Sequence, residues 1–218
     1  MHIDPISPSS EQEIPLFPLN VVLFPGGILP LHIFEQRYKL MIQFCVENQS
    51  PFGVVLIKDG EEVGGHAEPH RVGTAVQIVE IDRLEDGRMN LITSGQYRFE
   101  IIEIQRDQSY LVAKVRVPSL IEIENHENLE SITAEADELY QNYESLLEQL
   151  LILWKTPETI PSVPCHLAYQ IGMRLQIPLE EKQQLLEMFP VDQLLKREIV
   201  VLKRETYKFK LQLAAPNN

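Results

Sequence analysis

The sequence is poor in cysteine, long apolar runs and basic residues, and each shortage excludes a class of protein. Only Cys45 and Cys165 occur in 218 residues, so the chain has no disulfide framework of the kind that small secreted domains carry. No run approaches about eighteen consecutive apolar residues, the length that predicts a transmembrane helix. The opening MHIDPISPSSEQE has neither the basic nor the apolar region of a signal peptide. These features predict a cytoplasmic protein with no membrane partner.

The charge balance is strongly acidic. Lys and Arg total 19 against 32 Asp and Glu, which gives a formal net charge of -13. A surface of that charge repels polyanions, so nucleic acid is not an expected partner.

The motifs of common enzyme classes are missing. Gly26 and Gly27 are followed by Ile28 and a proline rather than by the lysine of a phosphate-binding loop. No GxSxG elbow is present, and the adjacent Cys165 and His166 diverge by about 100° on a helix, so they do not form a dyad with each other. No pair of carboxylates stands out for acid–base chemistry. We therefore expect a protein that is not an enzyme and needs no cofactor.

One cluster resembles a metal site. His66 and His70 flank Glu68 in HAEPH, and two histidines four residues apart bind zinc well when a helix holds both. Neighbouring glycines and Pro69 indicate a loop instead, so we expect no metal and keep His66 and His70 as the weaker alternative.

The first half of the chain shows strand and turn patterns. Asp86 and Gly87 lie between two strand-like runs, which predicts a hairpin. The apolar stretch 14–24 contains Pro15 and Pro18, which favours a strand at an edge or prolines at strand starts. The spacing of apolar residues over 34–45 predicts one early helix. Together these patterns predict a mostly antiparallel sheet or a partly closed barrel.

The second half is helical in pattern. Apolar residues recur there every three or four positions, which predicts a long helix. This helix packs either in a local bundle or, alternatively, in a dimeric coiled coil. The recurring residues are Leu129, Ile132, Ala136, Leu139, Tyr143, Leu146, Leu150 and Leu153. Residues 119–154 include nine acidic and no basic residues, whereas residues 196–210 include six basic and two acidic. We expect these two segments to pack together or to meet across a subunit contact.

Four segments of the chain form a recognisable series. They are IPLFPLNVVLFPGGILPLHIFEQRYKLM, then FGVVLI, then RVGTAVQIVEIDRLEDGRMNLITSGQYRFEIIEI with its aromatic-flanked arginine, and then IPLEEKQQLLEMFPVDQLLKREIVVL. In this order they resemble the N-terminal substrate-recognition domain of Lon-type ATP-dependent proteases. The resemblance implies an α+β fold: a PUA-like, mostly antiparallel β pseudo-barrel with one early helix, then a C-terminal α-helical bundle. The expected divisions are a flexible tail over 1–13, a Lon-like β domain over 14–120, a helical bundle over 121–213, and a tail over 214–218.

The resemblance also implies a function. The family's ATP-binding and protease modules have no counterpart in these 218 residues, so we expect a stand-alone recognition module that binds unfolded or degron-bearing polypeptides, or a protease or chaperone partner. Cereblon carries a similar domain in a substrate-selecting complex, which makes an adaptor or regulator of proteolysis plausible. The alternatives are a structural or regulatory homo-oligomer associating through the helical half, a small-ligand-binding protein, and a small hydrolase or metal enzyme.

Candidate binding residues are large apolar side chains beside a sheet edge, where an extended peptide can add a strand. We select Phe17, Phe24, Leu29, Phe34 and Tyr97, although large apolar residues more often belong to a core. The sequence assigns Pro25-Gly26-Gly27 and Asp86-Gly87 to structural turns rather than to ligand contacts.

Overall fold

The fold has a β half followed by an α half, as the sequence predicts. A computed structural model describes residues 10–64, 67–119, 129–151 and 163–214. Its strands are β1 (Ser10–Leu19), β2 (Ile28–Ile33), β3 (Phe52–Asp59), β4 (Glu68–Pro69), β5 (Val72–Arg83), β6 (Met89–Gln105) and β7 (Leu111–Val117). Its helices are α1 (Gln36–Asn48), α2 (Leu129–Leu151), α3 (Pro164–Arg174), α4 (Leu179–Glu187) and α5 (Val191–Ala214).

Five of the strands close into a ring. They pair in the order β1-β7-β6-β5-β3, and β1 then pairs with β3 in parallel while the other neighbours are antiparallel. Strand β2 joins β6, and the short β4 joins β3. The expected pseudo-barrel is therefore confirmed.

The expectation that β1 lies at an edge is wrong. Residues 10–16 pair with β7 and residues 16–19 pair with β3, so β1 closes the ring. Because Pro15 has a partner only in β7 and Pro18 only in β3, each proline can turn its missing N–H toward the unpaired side. Pairing also begins at Ser10, so residues 10–13 belong to the sheet rather than to the tail expected over 1–13.

The hairpin between β5 and β6 forms where the sequence predicts it. Leu84 N–H donates to the Arg88 carbonyl at 2.9 Å, and Gly87 N–H donates to the Leu84 carbonyl at 2.9 Å. Gly87 has a φ of +76°, a conformation that glycine adopts without steric cost.

Helix α1 begins at Gln36, two residues later than the apolar spacing indicates. Its buried face consists of Tyr38, Met41, Ile42 and Cys45, which pack against one face of the sheet. Phe34 precedes the helix and is exposed, while ILPLHI before it forms strand β2, which the apolar spacing of α1 did not reveal.

The acidic and basic helices pack together within one chain. Helix α2 runs along α5, with Lys203 Nζ 2.7 Å from Glu135 Oε1. The fully buried positions of α2 are Ala136, Tyr140, Tyr143 and Leu147. Leu139 and Leu146 of the predicted pattern are only half-buried, and Leu153 lies outside the described residues. The local bundle accounts for the heptad pattern with no second copy of the chain.

Phe24 joins the two halves. Its side chain is fully buried among residues of the helical core, and its ring centroid lies 6.4 Å from that of Tyr169. A Cβ atom placed on Gly172 of α3 would lie 2.5 Å from the Phe24 ring, so only glycine leaves room for it there. Packing of Phe24 against Gly172 therefore fixes the position of α3 on the barrel.

Glu198 is a buried acid in the middle of α5. It is 0% exposed, and neither carboxyl oxygen has a hydrogen-bond partner in the described part of the chain. Burial raises the pKa of this carboxyl well above its usual 4.5. The folded state consequently holds a proton that the unfolded chain releases, and this acid lowers the stability of the fold as pH rises.

We predict that Glu198→Met raises the free energy of unfolding by about 1–3 kcal/mol at pH 7, because an unpartnered polar group leaves the core. This difference in the free energy of unfolding should grow as pH rises from 4.5 toward the raised pKa of Glu198 in the folded state. Urea denaturation between pH 4 and 8 measures both effects. Glu138→Met, at an exposed position of α2, is the control. A less stable Glu198 variant, or an advantage that does not change with pH, would contradict this account.

Candidate functional site

A glycine turn delivers the chain to strand β2. Gly27 N–H donates to the Phe24 carbonyl at 3.0 Å, with Pro25 and Gly26 at the central positions. Gly26 has a φ of +86°, the signature of a type II turn with proline in its second position. Gly26 N–H also donates to the Gly95 carbonyl at 2.9 Å, which anchors the turn to β6. The turn is a structural element that sets the start of β2.

Strand β2 is an edge strand with apolar residues on both faces. Among the described strands it pairs with β6 alone. Leu29 and Leu31 face the core cluster that contains Ile33, yet they are only half-buried. Ile28 points the other way and is 61% exposed. The strand therefore presents both unpaired backbone groups and incompletely covered apolar side chains.

Phe34 extends this apolar surface beyond the strand. It is 48% exposed and stacks on His32, with ring centroids 6.1 Å apart. His32 Nδ1 lies 2.7 Å from Asn90 Oδ1, which ties the stacked pair to β6. We use the name β2 surface for Ile28, Leu29, Leu31, Phe34 and the free edge of β2.

The structure does not bring the five predicted binding residues together. Phe17 is buried beside Tyr38, with ring centroids 4.1 Å apart, and Phe24 is buried in the helical core. Tyr97 packs half-buried against a third apolar cluster in the barrel, where its hydroxyl accepts a hydrogen bond from Gln12. Of the five, Leu29 in β2 is half-buried and Phe34 just beyond β2 is exposed, and their contact with a ligand stays a prediction.

A second candidate is a polar cleft where the barrel meets the end of α4. Its volume is about 750 Å³, within the range of small-molecule sites. We call it the Arg98 cleft; its lining residues are Lys58, Glu68, Pro69, His70, Arg71, Val72, Arg98, Glu100, Arg116, Glu187 and Phe189. It shares no residue with the β2 surface.

Arg98 forms the back of this cleft and caps α4. Its side chain is buried, with Nε donating to the Leu186 carbonyl at 2.8 Å and Nη2 donating to the Glu187 carbonyl at 3.1 Å. These are carbonyls at the helix C-terminus, where a cation also interacts favourably with the helix dipole. The guanidinium carbon lies 5.6 Å from the centre of the Phe189 ring. Burial lowers the pKa of Arg98, and the two carbonyls offset part of that desolvation.

Catalytic chemistry finds little support in the described residues. Cys165 is buried while the neighbouring His166 is exposed, so the two side chains point apart. Burial raises the pKa of the Cys45 thiol to about 11, which disfavours the reactive thiolate. His66 lies outside the described residues, and His70 Nδ1 lies 3.2 Å from Glu187 Oε1. Within the described ranges no three His, Cys, Asp or Glu side chains are arranged to hold a metal ion.

The length and apolarity of the helices decide whether any of them could span a membrane. None of the helices in the described part of the chain is both long and apolar enough to cross a bilayer.

Sequence reasoning selected Leu29 and Phe34 but missed Ile28, Leu31 and the residues of the cleft. Leu29, Leu31 and Ile33 alternate with more polar neighbours, and this period of two is a strand signal. The cationic residues of the cleft lie in different strands, and no local pattern groups them. The arginine between Tyr97 and Phe99 was noticed as a motif, but only the fold shows that it caps α4.

A family model matches nearly the whole chain. The model describes the substrate-binding domain of ATP-dependent protease La (LON), and it matches residues 13–204. The chain is 30% identical over 209 residues to Lon protease 2 of Myxococcus xanthus, covering 92% of this chain and 24% of that protein. It is 29% identical over 202 residues to the Lon protease of Anaeromyxobacter dehalogenans, covering 91% of this chain and 24% of that protein. The chain thus spans about a quarter of the length of these relatives.

Solved structures share the fold. A Lon N-terminal domain protein from Xanthomonas campestris is 26% identical with a TM-score of 0.60, over 87% of this chain and 98% of that one. The N-terminal domain of a Mycobacterium avium complex Lon protease superposes with a TM-score of 0.63, over 88% and 98% of the two chains; at 19% identity it supports the fold alone. The matched region is the substrate-binding one rather than the ATPase or protease region.

We predict that Arg98→Met lowers the free energy of unfolding by about 2–4 kcal/mol, because the end of α4 loses two charge-assisted hydrogen bonds. Urea denaturation measures the loss. Arg88→Met is the control, because Arg88 is exposed at the hairpin tip, and its effect should stay within about 0.5 kcal/mol. Equal stability of the two variants would show that the cap contributes nothing.

Proposed function

Because the chain belongs to the family of Lon substrate-binding domains, we propose that it is a non-enzymatic recognition module that binds extended polypeptide segments. The recognised feature is an apolar stretch of unfolded chain, and the place of binding is the β2 surface. Membership of the family supports recognition of a substrate; the choice of surface rests on the geometry of β2.

The free edge of β2 is the observation that carries this proposal. An unpaired strand offers backbone hydrogen bonds to any extended segment, and pockets beside it accept alternate side chains. Ile28 and Phe34 are exposed on one side, while the half-buried Leu29 and Leu31 leave room for apolar contact on the other. A segment with apolar residues at alternating positions fits this arrangement.

Pro30 limits how far such pairing can run. Proline has no N–H to donate, and edge strands use it to discourage uncontrolled pairing with other chains. Pro30 lies in the middle of β2 and is exposed. We therefore propose brief, weak engagement governed by side-chain contacts, which suits a protein that must release varied clients.

The wider role that we propose is that of an adaptor or regulator of proteolysis, with unfolded or degron-bearing polypeptides, a protease or a chaperone as partners. The two free cysteines suit a reducing, cytoplasmic setting. We further propose that 14–120 and 121–213 are the functional subdivisions, with the helical part holding the barrel in shape through Phe24.

Serine at Ile28 and Phe34 should weaken binding of reduced, carboxymethylated lactalbumin about tenfold or more, because both apolar contacts are lost. Fluorescence anisotropy with the labelled client measures the affinity. The matched control is serine at Val200 and Tyr207, which are equally exposed on α5. NMR shift changes caused by the client should centre on residues 28–34. Unchanged affinity in the β2 variant, or shifts centred elsewhere, would overturn the assignment.

A homo-oligomer is the alternative function, suggested by the heptad-like pattern of α2 and by the opposite charges of α2 and α5. The packing of α2 on α5 within one chain argues against it. The apolar faces that could form a dimer interface are already buried against each other, and the Lys203–Glu135 pair lies within the chain. We expect sedimentation velocity to show a monomer from about 5 to 200 μM, concentrations that span typical weak association. A dimer that grows with concentration would restore the alternative.

A further inference from the structure

The carboxylates of the Arg98 cleft are already engaged. Glu68 pairs with Arg106, Glu187 lies 3.2 Å from His70, and Glu100 lies 3.5 Å from Arg116. Two of the three lining glutamates therefore face an arginine, and the third lies beside a histidine.

Lys58 and Arg71 are two lining cations that these glutamates do not pair with. Both side chains are exposed, and Lys58 forms no ion pair among the described residues. Arg71 Nη1 donates to the neutral carbonyl of Ile102 at 3.3 Å. With Arg98 and Arg116 they make four Lys and Arg in the lining against three Glu, a positive balance on a chain whose net charge is -13. A cleft with a positive balance attracts anionic ligands.

The strand register brings the charged side chains to one place. Val72, Glu100 and Arg116 lie side by side across β5, β6 and β7. Lys58 sits at the irregularity where β3 meets β4, and His70 N–H donates to the Leu56 carbonyl at 2.9 Å. Arg71 lies in the bend between β4 and β5, where its carbonyl accepts a hydrogen bond from Ile101 N–H at 2.7 Å. The backbone around the site is thus held by hydrogen bonds to neighbouring strands.

Apolar groups complete the lining. Phe189, Pro69 and Val72 form part of the wall, and Arg98 lies over the Phe189 ring. A ligand that fills this cleft needs an anionic group for the cations and an apolar part for the wall. An inorganic anion supplies the negative charge but has no apolar part to contact the wall.

We infer that the Arg98 cleft binds the free C-terminal carboxylate of a polypeptide, with an apolar terminal side chain against Phe189. Lys58 and Arg71 hold the carboxylate, because planar guanidinium and ammonium groups are the usual partners of such an anion. The choice of a polypeptide as the ligand rests on the proposed function. This site takes chain ends, whereas the β2 surface binds internal segments, so the two sites can be tested separately.

The test uses the full chain and the peptide Gly-Ala-Ala-Leu with a free carboxylate, measured by isothermal titration calorimetry. Replacing the carboxylate by an amide should weaken binding at least tenfold. Lys58→Gln with Arg71→Gln should do the same. The matched control is Lys203→Gln with Arg88→Gln, which also removes one lysine and one arginine, but at positions outside the cleft. This control should bind the peptide as the unsubstituted protein does. Thermal melts confirm that each variant is folded.

Three outcomes would overturn the inference: equal binding of acid and amide, unchanged binding in the cleft variant, or displacement of the peptide by inorganic phosphate at equal concentration. The variant with serine at Ile28 and Phe34 separates the two proposals. It should lose the unfolded client and keep the tetrapeptide, so failure at one surface leaves the other testable.

Discussion

A buried guanidinium must find hydrogen-bond acceptors, and the position of α4 on the barrel depends on that requirement at Arg98. The carbonyls of Leu186 and Glu187 meet the need, and the same two bonds satisfy the end of the helix. Gln183 of α4 adds a bond from its side-chain amide to the Val72 carbonyl at 3.0 Å. Because α4 is held in this way, Phe189 lies over the barrel and a cleft exists beneath it.

The closed ring imposes a second constraint, since it leaves no edge on its own five strands. Strand β2 lies outside the ring and keeps an unpaired edge. The apolar surface and the charged cleft are consequently separated, one on β2 and one at the junction with α4. The two binding roles that we propose for them therefore use different parts of the fold.

Local signals in the sequence predicted local structure well. Asp86-Gly87 predicted its hairpin because glycine at positive φ sets the turn without help from distant residues. The apolar spacing around Tyr38 and Met41 predicted α1. Prediction failed where distant pairing decides the outcome. The prolines of β1 suggested an edge, but that strand changes partners at Leu16, and no local pattern reveals a change of partner.

By itself the sequence determined the β half followed by the α half, the resemblance to the family, the acidic charge balance and the turns, because these depend on composition and near neighbours. It also identified large apolar residues as candidates for binding. Only the tertiary structure decided that Phe17 and Phe24 are core while Phe34 is exposed, and that Lys58 and Arg71 line one cleft. Exposure and convergence are properties of packed surfaces, and residues far apart in the chain acquire them only when the ring closes and the helices dock.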